Sequence, residues 1–315
     1  ADLANLALRH LDRRVAARAC ERFFDAASDC PGLPDRFASG IPSAPLKVAS
    51  TDRPLEGTSV SVMAEADEGL WRELERLSEA TGIDVQALPT DFEQLKSDPP
   101  DIGFVAQPGW VPHLAGRGEL MDLGAYLDTE RLRRDFGAYL LSMGTVAADD
   151  SWPSGHGTLH GLPTHVSLKS LIWYPVPEFE RAGYTIPETW DQLVALTDRM
   201  VADGRTPWCM GLESAGADGW PATDWIENLV LGEAGPDAYD AWTFHEIPFD
   251  HPTVRRAFER LVEIVFGEGR LYQGIQGSIV TNWASAQAPM VEGDPPACWL
   301  HHFPSFVSQY LPEGS

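Results

Sequence analysis

The chain has 315 residues, enough for one large or two ordinary domains with ample core. Its 23 Lys and Arg face 47 Asp and Glu, a formal net charge of −24. That balance excludes nucleic acid, whose phosphates need a basic surface, and an anionic membrane face; no apolar run nears the roughly 18–20 residues that span a bilayer.

Residues 1–30 read as helix, with Leu3, Leu6, Leu8, Leu11, Val15, Phe23 and Phe24 on its apolar side. Residues 30–45, CPGLPDRFASGIPSAP, carry four prolines and two glycines and read as linker. The opening lacks the charged start and apolar stretch of a signal peptide, which implies a leader already removed or a longer parent chain. From residue 58 the pattern alternates. TSVSVMA (58–64) has the β-branched residues of a strand, 70–81 the spacing of an amphipathic helix stopped by Gly82, and IDVQAL (83–88) and DIGFVA (101–106) the look of further strands. Strand, helix, strand, strand predicts a parallel sheet with crossovers, whose ligands sit beyond the carboxyl ends of the strands. That rule places Glu65, Asp67 and Gln107 near a cleft.

Further on, 110–123 reads as helix and return, and LKSLIWYP (168–175) as a strand. In IPETWDQLVALTDRMVADG, Thr189 is an N-cap and Trp190, Leu193, Leu196 and Met200 form the inner face of a helix ending near Gly204. Residues 252–266 predict another helix, with Val254, Phe258, Leu261, Ile264 and Val265 inward. The stretch 206–225, TPWCMGLESAGADGWPATDW, is broken by Gly and Pro and reads largely as loop, with a helix expected from Ala222 onward. Aromatic faces beside carboxylates suit a sugar: the C–H face of a pyranose stacks on the ring and its hydroxyls take side-chain hydrogen bonds. Trp220, on the Gly-Trp-Pro corner, is the leading stacking residue, followed by Trp173 and Trp225, each with core packing as its rival role. Glu213 and Asp224 are acceptors for hydroxyls, and Asp224 is also a possible helix cap. Lys169 is either a donor to the sugar or half of a surface ion pair.

Several segments resemble the family-one extracellular solute-binding proteins of ABC sugar importers, most closely the alpha-glucoside-binding branch. They run in order: LSEATGIDVQALP (77–89), DPPDIGFVAQPG (98–109), HGLPTHVSLKSLIWYP (160–175), AGYTIPETWDQLVAL (182–196), TPWCMGLES (206–214), GWPATDWIENLVL (219–231), HEIPF (245–249) and PPACWLHHFPSF (295–306). The resemblance implies an α/β fold of the two-lobed periplasmic-binding-protein type (type II), mixed sheets flanked by helices and a pattern shortened at its C-terminal end. It divides the chain into a first α/β lobe at 46–168 and a second, mostly helical lobe at 169–315, with 1–45 unmatched. It also implies a sugar held between the lobes, with Trp110 and Gln107 on the first-lobe wall and Gln273 and Gln276 on a cleft-edge loop.

Four cysteines, Cys20, Cys30, Cys209 and Cys298, allow three pairings, and spacing does not choose among them. Cys209 and Cys298 both lie in family-matching segments, which makes them candidates for one bridge and Cys20 and Cys30 for another. Disulfides would place the chain outside the cytosol.

A glycosidase would need two carboxylates roughly 5–10 Å apart, for which Glu213 with Asp224 or Glu65 with Asp101 are the pairs to test. A hydrolase elbow and a phosphate-cradling loop are absent. His156, His160, His165, His301 and His302 read as loop residues without metal-site spacing. The resulting expectation is a monomeric, non-enzymatic, extracytoplasmic protein without cofactor or metal. It would capture an alpha-glucoside or related oligosaccharide for the membrane permease subunits of an ABC importer. The alternative is a ligand-sensing ectodomain of a larger signalling protein.

Overall fold

A computed structural model describes residues 55–64, 68–164 and 166–312. The expected N-terminal helix and linker, Cys20, Cys30, Glu65, Asp67 and His165 lie outside the described residues. The chain divides into two compact units, Ala1–His165 and Val166–Ser315.

In the first unit, strand β1 (Ser59–Met63) is the middle of a three-stranded parallel sheet, between β2 (Asp84–Leu88) and β3 (Ile102–Gly103). Helix α1 (Glu68–Thr81) is the crossover from β1 to β2 and ends where Gly82, at φ +83, donates to the Ser78 carbonyl at 2.8 Å. The expected strand 101–106 shrinks to two paired residues. Its hold on β1 is reinforced by side chains: the Asp101 carboxylate accepts from Ser61 N at 2.8 Å and Ser61 Oγ at 2.7 Å, while Asp101 N donates back to Ser61 Oγ at 2.9 Å. Helices α2 (Phe92–Ser97), α3 (Trp110–Gly116) and α4 (Thr129–Ser142) follow, α4 breaking at Gly137. The short antiparallel pair β4 (Thr145–Val146) and β5 (Thr158–Leu159) completes the unit's described elements. Val62, Met63 and Leu95 are its most deeply buried large apolar side chains.

The second unit is mostly helical: α5 (Val176–Arg181), α6 (Trp190–Ala202), α7 (Trp220–Thr243), α8 (Pro252–Ile264), α9 (Gly274–Val280) and α10 (Ala288–Val291). Helix α6 starts as expected, the Thr189 Oγ1 accepting from Gln192 N at 3.2 Å. Leu193, Leu196 and Met200 are buried at spacings of three and four. Helix α8 buries Val254, Ala257, Leu261 and Ile264 on the same periodicity. Phe258, expected inward, falls one step off that row and is exposed, its ring 6.0 Å from Phe249.

Pairing between distant segments closes the core. The two-residue strands β6 (Ile172–Trp173) and β7 (His301–His302) run antiparallel, Trp173 opposite His301. The longer strand expected over 168–175 does not form, because Ser170 takes a left-handed φ of +63 and Pro175 already caps the next helix. Cys209 N donates to Leu300 O at 2.9 Å, and the Cys209–Cys298 disulfide clasps the same two segments, with Cα atoms 5.4 Å apart. Trp208, Trp225, Val230, Leu261, Trp299 and Leu300 pack into one cluster with the inner faces of α6 and α8. Each such side chain contributes about 1.5–3 kcal/mol on burial. Among the described residues, no helix is long and apolar enough to cross a membrane.

Candidate functional site

The turn before α7 sets the site. Gly219 has φ +88, a conformation L side chains rarely adopt, and its N–H donates to Leu212 O at 2.8 Å. The chain then enters α7 with Trp220 and Pro221 as its first residues. Trp220 is therefore helical rather than on a loop. Pro221 is tolerated because a first-turn N–H has no helical acceptor to lose. The helix begins four residues before Asp224, which removes capping as that carboxylate's role.

Trp220 is half-buried among aromatic rings, with centroids 5.0 Å away at Phe303, 5.6 Å at Trp283 and 6.0 Å at Phe306. Lys169 Nζ stands 5.1 Å from the Trp220 centroid and donates to Asp224 Oδ2 at 2.7 Å. Asp224 is one turn beyond Trp220 on the same face of α7, and Glu227 three residues further. The Tyr239 hydroxyl lies close enough to Glu227 for the two to act on each other electrostatically. In a straight helix residues 227 and 239 would be about 18 Å apart along the axis, out of reach. The break at Gly235 (φ +79, ψ 175) lets them meet.

The electrostatics follow from this packing. Burial pushes the Asp224 carboxyl up, opposed by the hydrogen bond and charge of Lys169. Burial and then the charge of Asp224 push Glu227 up, opposed by Lys169 and by the nearby Tyr239 hydroxyl. Burial and the Glu227 charge push the Tyr239 hydroxyl up to about 12. Lys169, Asp224, Glu227 and Tyr239 thus form a row of donors and acceptors beside an indole. This arrangement can bind adjacent hydroxyl groups and stack an apolar ring face.

Glu213, expected as an acceptor for the ligand, instead braces the turn that leads to Trp283. Its Oε2 accepts from Asn282 Nδ2 at 2.6 Å and its Oε1 from Ala215 N at 3.0 Å, and the Asn282 bond holds the carboxyl below the usual range. Its carbonyl accepts from Trp283 N at 3.1 Å, fixing the turn that presents the Trp283 ring. Gly211 makes this turn possible, since a Cβ there would lie 2.7 Å from Thr281 O and 2.8 Å from Asn282 O.

Other expected site residues fall elsewhere. Trp225 is 2 % exposed, stacked on His302 at 4.1 Å and edge-on to Trp208 at 5.1 Å. Trp173 is 8 % exposed and donates from its indole to Phe303 O at 2.9 Å. Both are core residues, because 301–303 folds over them. Gln276 is exposed on α9, and Gln273 precedes that helix at φ +59, so YQGIQGS is a helix start and not a loop. In the first unit, Trp110 opens α3, half-buried and edge-on to His113 at 5.6 Å, and Gln107 is exposed.

His301 and His302, expected in a loop, are the buried strand β7. Burial pushes them down to about 4 and about 3. His301 Nδ1 meets Cys209 O at 3.0 Å, while neither His302 ring nitrogen has a partner among the described residues. No group of three or more His, Cys, Asp or Glu among the described residues can hold a metal ion. Sequence reading missed Glu227, Tyr239, Asn282 and Trp283. Glu227 had a usable signal, since it lies three and seven residues past Asp224 and Trp220 once the helix is read from Trp220.

The family model for bacterial extracellular solute-binding proteins matches residues 61–300. The chain is 34% identical over 263 residues to the osmoprotective compounds-binding protein GgtB of Synechocystis sp., a match covering 80% of this chain and 59% of that protein. It is 34% identical over 251 residues to the alpha-glucosides-binding periplasmic protein AglE of Rhizobium meliloti, covering 75% and 52%. The chain thus spans little more than half the length of these curated relatives. Among solved structures, a chitin oligosaccharide binding protein superposes with a TM-score of 0.64 at 19% identity, over 82% of this chain and 63% of that one. The mixed α/β fold is the one this family uses, and the chain belongs to the bacterial extracellular solute-binding proteins.

Proposed function

We propose that this protein captures a saccharide outside the cytoplasm, without catalysis, and passes it to the permease subunits of an ABC-type importer. An alpha-glucoside or related oligosaccharide is the substrate we favour, with the protein acting as a monomer. The observation that carries the reading is the patch on α7. It places the Trp220 ring one helical turn from the partly buried carboxylate of Asp224 and two turns from that of Glu227, with the Tyr239 hydroxyl near the latter. Carboxylates accept from vicinal hydroxyls, and an indole face takes the apolar side of a pyranose. The relatives, one named for binding alpha-glucosides and one for binding osmoprotective compounds, support a small polyhydroxylated ligand. The pair Glu213 and Asp224, weighed for glycoside hydrolysis, is poorly set for it. Asp224 is tied to Lys169, and Asn282 favours the ionised form of Glu213, the wrong state for a general acid.

Calorimetric titration with maltose, trehalose and longer alpha-glucans tests the reading. Saturable binding is expected, weakened about five- to tenfold by Trp220→Ala as the stacking contact is lost. A folded protein that gives no heat with any sugar of the panel would overturn it.

A further inference from the structure

Phe303, Trp283 and Phe306 crowd the Trp220 ring, and the Lys169 ammonium stands over it, 5.1 Å from the centroid. The same ammonium is 2.7 Å from Asp224. A saccharide using the Trp220 face and the Asp224 carboxylate needs both positions that Lys169 now fills. Lys169 is half exposed on its side chain, so its four-carbon stem can swing the head group into water. Its backbone is anchored close by: Leu168 N donates to Ser305 Oγ at 3.0 Å, and Ser170 sits at φ +63. The tether therefore keeps the ammonium near the ring even when displaced.

We infer that Lys169 is an internal competitor for the sugar surface, a specificity-determining residue that covers Trp220 and Asp224 until a ligand displaces it. The inference rests on the saccharide reading of this patch. It has a consequence opposite to that of a lysine that hydrogen-bonds the sugar. A ligand must replace both a cation–π contact and an ion pair, so an apolar molecule that offers only a ring face cannot open the patch. A polyol can, because its hydroxyls satisfy the carboxylate that Lys169 leaves behind. Salt screens the half-exposed lysine end of the ion pair and so weakens the competitor, and an uncharged sugar should bind more tightly as ionic strength rises.

The test titrates maltose and trehalose into the full chain and into two variants, at low and at about molar sodium chloride. Lys169→Met keeps the stem and removes the charge; the affinity should rise about two- to fivefold and lose its salt dependence. Lys169→Arg places a guanidinium, a better partner for an indole face, over Trp220 and should bind about twofold more weakly than wild type. Sugar bound equally or more weakly by Lys169→Met than by wild type overturns the inference and leaves the saccharide reading standing. If no form binds either sugar, the saccharide reading fails and the inference falls with it. Binding by Lys169→Met alone supports both.

Discussion

The first unit is organised by a short parallel sheet, the second by packed helices held with a covalent clasp. In the first, β3 contributes two paired residues, and exposed hydrogen bonds between Ser61 and Asp101 strengthen its grip on β1. In the second, segments up to 130 residues apart are locked together by the Trp173–Phe303 hydrogen bond, the β6–β7 pairing and the Cys209–Cys298 bridge. The candidate site belongs to the second kind of construction. Trp220 and its carboxylates project from a helix whose inner side, Trp225, Ile226, Leu229 and Val230, is buried in the main aromatic core. A polar patch on so rigid a support needs little backbone reordering to bind.

Removing the clasp is the strongest way to break this contrast. Replacing Cys209 and Cys298 together by Ala should destabilise the second unit by on the order of 4–5 kcal/mol, from the freed loop entropy of the 89-residue separation. Hydrogen exchange read separately over 59–63 and 225–230 checks it. Protection should fall in the second segment alone; equal losses in both would show that the two units unfold as one.

Acid sharpens the contrast next. His301 and His302 have folded-state values of about 4 and about 3, below the ordinary 6.5, so the unfolded chain binds more protons in that interval. Their stabilising contribution is complete above pH 6.5 and is lost as pH falls towards 4 and 3. The His301 shift alone corresponds to on the order of 3 kcal/mol. Denaturant melts of the second unit across this range should show the decline, and His302→Phe should reduce it to the His301 contribution. A flat wild-type profile between pH 6.5 and 4 would contradict the buried, neutral state of this pair. The smallest expected effect is local: Thr189→Ala removes the α6 cap and should cost about 1 kcal/mol, read from thermal unfolding of the second unit.

The sequence made helix α6 plain because its signals were local and agreed with one another: a capping threonine, apolar residues at spacings of three and four, and a glycine stop. Strand β1 was legible for the same reason, as a compact β-branched run. What escaped depended on partners distant along the chain. The two-residue strand β7 has no pattern of its own and exists because β6 lies beside it, so His301 and His302 gave no sign of burial. At the site, Trp220, Asp224 and Lys169 were visible as residue types near Gly and Pro. The helical start at Trp220 was hidden because a Gly-Trp-Pro string looks like a turn. With the helix start went Glu227, and with the Gly235 break went Tyr239, whose reach to Glu227 no linear spacing announces.

The Cys209–Cys298 bridge turns everything from α7 to α10 into a closed ring of polypeptide. The exposed turn at 244–250, which carries Phe244 and Phe249 outward, is inside that ring. A protease cutting there would leave a nicked molecule whose pieces migrate together without reductant and part only when thiol is added. Partial degradation of this protein in an oxidising compartment would then escape a separation by size run without reductant.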